Sequence, residues 1–148
     1  MSQNKPVVIV GFPGIGKSVL ASRQSFIADL DFPKLPMDEY IERIKEAIEQ
    51  DKVVLLPSWP TLRLALQSNN IPYGVVRPHG SLKPAYMERY KARGSTETLI
   101  ATMDVCWDKF ISSFDAEHCV CMTVLVDEQQ YLDDVFDSVV AEIKERTQ

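Results

Sequence analysis

Cysteine is scarce in this 148-residue chain: there are three, Cys106, Cys119 and Cys121. They form no C-x-x-C pair, which argues against redox or metal work. Cys119 and Cys121 fall two apart in a run that reads as a strand, so both point to one face as small core residues. Histidine is scarcer still: His79 and His118 have no companions at ligand or triad spacing and receive no role. Long apolar runs are missing too. None approaches the roughly 20 residues a bilayer-spanning helix needs, and Met1 to Pro6 leads straight into a core strand, so no membrane partner and a cytoplasmic location are expected. Positive charge is in deficit, with a net charge of −5, which argues against a general nucleic-acid-binding surface. The exception is local: Arg77, Lys83, Arg89, Lys91 and Arg93 stand against the single acid Glu88 between residues 77 and 93. The apolar content of 45% and charged content of 25% are those of an ordinary globular protein, large enough at this length for one domain over 1–148 with its own core.

What is present is led by Gly11-Phe12-Pro13-Gly14-Ile15-Gly16-Lys17-Ser18. It follows the apolar run Val7 to Val10 and opens into Val19-Leu20-Ala21. Strand, glycine-rich turn and helix start thus come in the order that the G-x-x-x-x-G-K-[ST] phosphate-binding loop requires. Backbone N–H groups at a helix N-terminus cradle phosphate oxygens. The glycines let the main chain approach the ligand, Lys17 reaches the β- and γ-phosphates, and Ser18 offers its hydroxyl to Mg²⁺.

Along the chain, a first helix is expected from Lys17 to about Gln24, then a short strand at Phe26–Ala28 ending in Asp29-Leu30-Asp31. A helix over about 37–50 carries Tyr40, Ile41, Ile44, Ala47 and Ile48 on one stripe. Lys52–Leu56 reads as a fully buried strand, Thr61–Ser68 as a helix and Pro72–Val76 as a strand with Arg77 at its exit. Ser81 is expected to cap a helix from Leu82 to Ala92 that Gly94 ends. A longer helix over about 96–114, a strand over 119–126 and a helix over 129–146 complete the chain. Strands alternate with helices throughout, which predicts an α/β fold with a mostly or wholly parallel sheet and helices on both faces. Functional groups in such sheets gather beyond the carboxyl ends of the strands.

Those ends supply the remaining candidates. Asp29 and Asp31, two apart, could accept a proton from an attacking hydroxyl or hold a Mg²⁺-bound water; a turn-forming Asx pair is the structural alternative. Asp31 is the preferred acceptor-side residue. Ser58, Trp59, Arg63 and Arg77 border the space where a second substrate would enter: Trp59 to stack on a base or simply to pack, Arg63 to contact an acceptor phosphate. Arg89 and Arg93, spaced i, i+4, share a helix face. There they could close over a triphosphate or form an ordinary solvated face. The strand at 52–56 ends without an acid, so Asp29 or Asp31 takes the metal-side part, or Mg²⁺ is held by Ser18, phosphates and water alone. No N-K-x-D tetrapeptide is present, which disfavours a GTPase.

Together, Gly11 to Ser18 and the segment Leu82-Lys83-Pro84-Ala85-Tyr86-Met87-Glu88-Arg89-Tyr90-Lys91-Ala92-Arg93-Gly94 resemble P-loop kinases of the nucleoside and nucleotide kinase type. The nearest likeness is to the small adenylate-kinase-like enzymes that bacteriophages often encode, which would place the chain in a host cytoplasm. The resemblance implies a three-layer α/β/α P-loop NTPase fold with a five-stranded parallel sheet of order 2-3-1-4-5 and a lid at about 79–95. ATP and Mg²⁺ are then expected at Gly11, Phe12, Pro13, Gly14, Ile15, Gly16, Lys17, Ser18 and Val19, with Val126-Asp127-Glu128 at the adenine edge. Lys17, Asp31, Arg89 and Arg93 would carry catalysis. The implied activity is transfer of the γ-phosphoryl group of ATP to a small acceptor, a (deoxy)nucleoside monophosphate first. Two alternatives stand beside it: a kinase of polynucleotide ends or modified DNA bases, which needs a basic track beyond the lid, and an ATP-binding regulator or ATPase, which the missing acid favours.

Overall fold

Five consecutive residues without a polar side chain, Val7–Gly11, form the central strand β1, buried along its whole length. A computed structural model describes residues 6–17, 20, 25–30, 35–116 and 120–146. After β1 come β2 (Ile27–Asp29), α1 (Met37–Glu49), β3 (Val53–Pro57), α2 (Pro60–Ser68) and β4 (Tyr73–Pro78). Then follow α3 (Lys83–Ala92), α4 (Glu97–Ser113), β5 (Val120–Val126) and α5 (Leu132–Arg146). The five strands form one all-parallel sheet in the order β2-β3-β1-β4-β5. Helices pack on it: α1 on β3 and α2, and α5 on β1, β4 and β5. This is the α/β fold with the expected strand order, consistent with three layers. Strands covered on both faces have no place for polar alternation, which is why β1 and β3 read as continuous apolar runs.

Strand order locates the cleft. From β1 the chain passes to β2, on the far side of β3; from β3 it passes to β4, on the far side of β1. Parallel crossovers are right-handed, so these two connections leave the sheet on opposite faces and open a crevice beyond the carboxyl ends of β1 and β3. Gly11 lies opposite Pro57 at that point.

Several boundaries differ from expectation for local reasons. Helix α3 is preceded by a 3₁₀ turn, Gly80–Leu82, and the cap there is His79, whose Nδ1 accepts the Ser81 amide at 3.2 Å. His79 thus has a structural part, and Ser81 is not the cap. Helix α5 begins at Leu132, three residues after the expected start at 129, because Gln130 Oε1 accepts the Asp127 amide at 2.9 Å and holds 127–130 as a turn. Helix α4 is capped by Thr96, whose hydroxyl accepts from the Leu99 amide. Cys119 and His118 lie outside the described residues, as does the side chain of Cys121. Cys106 is exposed on α4. No helix among the described residues is long and apolar enough to cross a membrane.

Helix α5 sits tightly against the sheet where Gly74 leaves room for Ile143: a Cβ built at 74 would lie 2.7 Å from Ile143 Cδ1. Ile143 is fully buried there. Ile143→Ala should therefore cost about 2–5 kcal/mol, read as a lower denaturant midpoint at unchanged m-value.

Candidate functional site

The turn after β1 is shaped by two glycines in the left-handed region, Gly14 at φ 90° and Gly16 at φ 97°, a conformation that L side chains rarely adopt. At Gly14 a Cβ would also come within 2.9 Å of Tyr90 Cε1. The loop is pinned to the sheet by Phe12 N–H donating to Val76 O at 3.1 Å, and to the start of α5 by Leu132 N–H donating to Ile15 O at 2.8 Å. Lys17 is helical and folds back across the loop, its Nζ donating to Gly11 O at 3.2 Å. Phe12 points away from the turn, buried among the rings of Tyr86, Trp107, Phe110 and Phe114.

A cleft of about 460 Å³ opens in front of this loop, lined by Gly14, Gly16 and Lys17 on one side, Pro57, Ser58 and Trp59 on the other, and Arg93 and Leu99 from above. No described residue lining it is acidic. Ser58 is almost fully buried and its hydroxyl has no hydrogen-bond partner among the described residues, an uncommon state for a buried polar group.

Behind the loop, helix α3 acts as a brace. Arg89 Nη1 donates to Gly14 O at 3.1 Å, and Nη2 donates to Glu128 O at 2.7 Å and Gln130 O at 2.9 Å. Its guanidinium lies between the rings of Tyr86 and Tyr131, 4.3 and 3.9 Å from their centroids. The Tyr90 hydroxyl donates to Pro13 O at 2.9 Å. Burial pushes the Tyr86 phenol up to about 12, partly offset by the adjacent Arg89 cation. Tyr90 is raised as well, by burial first and then by neighbouring Tyr86.

The predicted residues therefore divide. Gly14, Gly16, Lys17, Ser58, Trp59 and Arg93 meet at one cleft. Arg89 does not line it: the expectation that Arg89 and Arg93 act as a pair gives way to one arginine behind the loop and one in front. Arg93 is exposed, with Nε 2.9 Å from Ser95 Oγ. Arg63 is not at the cleft either; it is fully buried, Nε donating to Ser58 O at 2.9 Å, Nη2 to Ser113 Oγ at 2.8 Å, and its charge 4.0 Å from the Phe114 ring centroid. Its guanidinium holds the turn between β3 and α2. Arg77 turns aside to Pro78 O and to Asp115, 4.0 Å away, and burial lowers its pKa. Asp29 ends β2 beside Leu55 and does not line the cleft. Ser18, Val19 and Asp31 lie outside the described residues. Among the described residues no cluster of His, Cys, Asp and Glu could hold a metal ion.

Sequence reasoning missed the brace. Its only signal was Tyr86 and Tyr90 spaced i, i+4 on the buried stripe of α3, which says that they pack but not that they pack on the glycine turn.

No protein-family model matches the chain, and no curated protein matches it. Its function is read from the site itself.

Arg89→Ala would leave three carbonyls without their shared donor and should lower stability by about 2 kcal/mol, whereas Arg93→Ala should leave the melting temperature within about a degree of wild type. Alkaline titration gives a second check. Tyr86 and Tyr90 keep their protons in the folded state above pH 10, where unfolded tyrosines lose theirs. Their contribution to stability is whole below pH 10 and falls as pH rises through 12, by up to about 1.4 kcal/mol per pH unit for each phenol.

Proposed function

We propose that this chain is a P-loop phosphotransferase that moves the γ-phosphoryl group of ATP to a small acceptor. The observation that carries the reading is the glycine turn with its lysine, at the end of the central strand and at the switch point of a parallel sheet, facing Arg93 across one cleft. The residues fit a polyphosphate. The turn offers main chain rather than side chains at Gly14 and Gly16, two cations face the cleft, and no described acid lines it.

In this reading the N–H groups of the turn hold the β- and γ-phosphates, and Lys17 exchanges its bond to Gly11 O for one to a phosphate oxygen. Arg93, carried at the end of α3, approaches the transferring group from the other side and stabilises charge on its equatorial oxygens. Ser18 would hold Mg²⁺ together with phosphate oxygens and water, and the ion would supply further charge neutralisation. An acceptor oxygen bonds to the γ-phosphorus as the bond to the β,γ-bridging oxygen breaks, and ADP leaves with that electron pair. Asp31 keeps the role of proton acceptor that its place after β2 implies. The brace of Arg89 and Tyr90 positions the turn without touching the substrate. The sequence places a nucleoside monophosphate first among acceptors.

Lys17→Ala should abolish turnover while the circular dichroism and melting temperature stay near wild type. Arg93→Ala should lower kcat roughly 10²- to 10³-fold with a smaller change in ATP affinity. Normal turnover in Lys17→Ala would remove the reading.

A further inference from the structure

The two edges of the sheet differ. Strand β2 is only three residues long, and a very short edge strand is one of the ways in which an edge is kept from pairing with other chains. Strand β5 stands at the other edge, with β4 on one side and no described strand on the other. It is seven residues long, Val120–Val126, with no proline and no charged side chain. None of its main-chain groups bonds to a described residue outside the sheet. An edge strand presents a row of outward N–H and C=O groups, and here nothing in the sequence of the strand blunts that row. The register against β4 slips between Val120 and Met122, so Met122–Val126 is the regular stretch.

One face of this edge is open as well. Met122 lies with Ile143 of α5 against Gly74, and Val126, on the same face by alternation, is also buried. Thr123 and Leu125 alternate to the opposite face, and both are exposed, Leu125 at 48%. A parallel sheet normally has both faces covered, so this is a gap at its rim.

The strand itself supplies the complement. Turned antiparallel on a copy of itself about Val124, it sets Met122 opposite Val126, Val124 opposite Val124 and each exposed Leu125 opposite an exposed Thr123, which gives apolar or β-branched pairs at every position. The acids that follow the strand, Asp127 and Glu128, then lie at opposite ends of the pair. A parallel copy would set like charges side by side, which is unfavourable. A two-fold pairing uses the same surface on both partners and closes at two, and the short β2 edge gives no way to extend it.

We propose that β5 is a self-association edge: two copies of the chain pair antiparallel along Met122–Val126 and join their sheets into one. The pairing is independent of what the cleft binds. It also steadies the strand that leads into the connection held by Arg89 at Glu128 and Gln130.

Sedimentation velocity on the full chain over a range of concentrations tests this, with the melting temperature as a second readout. Wild type should reach a dimer, twice 16.8 kDa, and no larger species, with a melting temperature that rises with concentration. Two double variants are compared with it, Thr123→Lys with Leu125→Lys and Thr123→Glu with Leu125→Glu. Both positions are exposed, so each variant should keep the wild-type circular dichroism. Each alone should weaken the dimer at least ~100-fold by setting like charges opposite one another, and mixing the two should restore a one-to-one dimer. A wild-type chain that is monomeric at every concentration, a dimer that both variants retain, a mixture of the two that stays monomeric, or a mass that keeps growing beyond two chains would each overturn the proposal. Hydrogen exchange on the wild-type chain keeps the test standing should a variant fail to fold. Amides within Met122–Val126 should gain protection as concentration rises, and exchange that does not change would overturn the pairing.

Discussion

The three bonds from the Arg89 guanidinium to main-chain oxygens of Gly14, Glu128 and Gln130 are the constraint on which the site depends. A turn with two residues at positive φ has few side chains of its own with which to hold a shape. Here it is held from behind, by one planar cation that ties it to the β5–α5 connection and by the Tyr90 hydroxyl on Pro13. Charge-assisted bonds from a guanidinium are stronger than neutral ones and fixed in direction, so a single side chain on α3 sets the position of two separate stretches of chain, the glycine turn and the β5–α5 connection. The face of the turn opposite this brace is left to line the cleft.

The same economy governs the other arginines. Arg63 and Arg77 stand near the carboxyl ends of strands, where charge usually serves ligands, yet both are absorbed by the fold. Arg63 lies against Phe114 and bonds to Ser58 O, so the cation that was expected to meet a phosphate shapes the wall beside it instead. Arg77 bends back on Pro78. Of the four arginines that the sequence placed at the site, Arg93 alone lines the cleft. The resulting asymmetry, a cleft with two cations at the glycine turn and an apolar groove beyond Trp59, separates a place suited to phosphate from a place suited to a ring.

Much of the architecture was legible before any coordinates. Continuous apolar runs at 7–10 and 53–56 marked buried parallel strands, the 3.6-residue stripes marked α1, α4 and α5, and Gly94, at φ 74°, ends α3 as its place in the pattern required. The start of α5 was misplaced because the Gln130 side chain competes for a backbone amide at the turn, a choice that periodicity does not register. The i, i+4 spacing of Arg89 and Arg93 correctly placed both on α3 or its end, but a shared face of a helix does not say what lies opposite each residue along the axis. Arg89 sits over Tyr131 and the glycine turn, whereas Arg93, one turn further, passes beyond them into the cleft.

By itself the sequence determined the alternation of strand and helix, the parallel sheet and the glycine turn after the first strand. Those follow from hydrophobic periodicity and backbone sterics, which act over a few residues. Tertiary structure alone decided which cations face the cleft, that Ser58 is buried beside it with no hydroxyl partner among the described residues, and that Trp59 and Phe110 make a groove next to it. Each of those depends on contacts between residues distant in the chain, such as Arg63 with Ser113 or Arg89 with Glu128, and no local pattern encodes them.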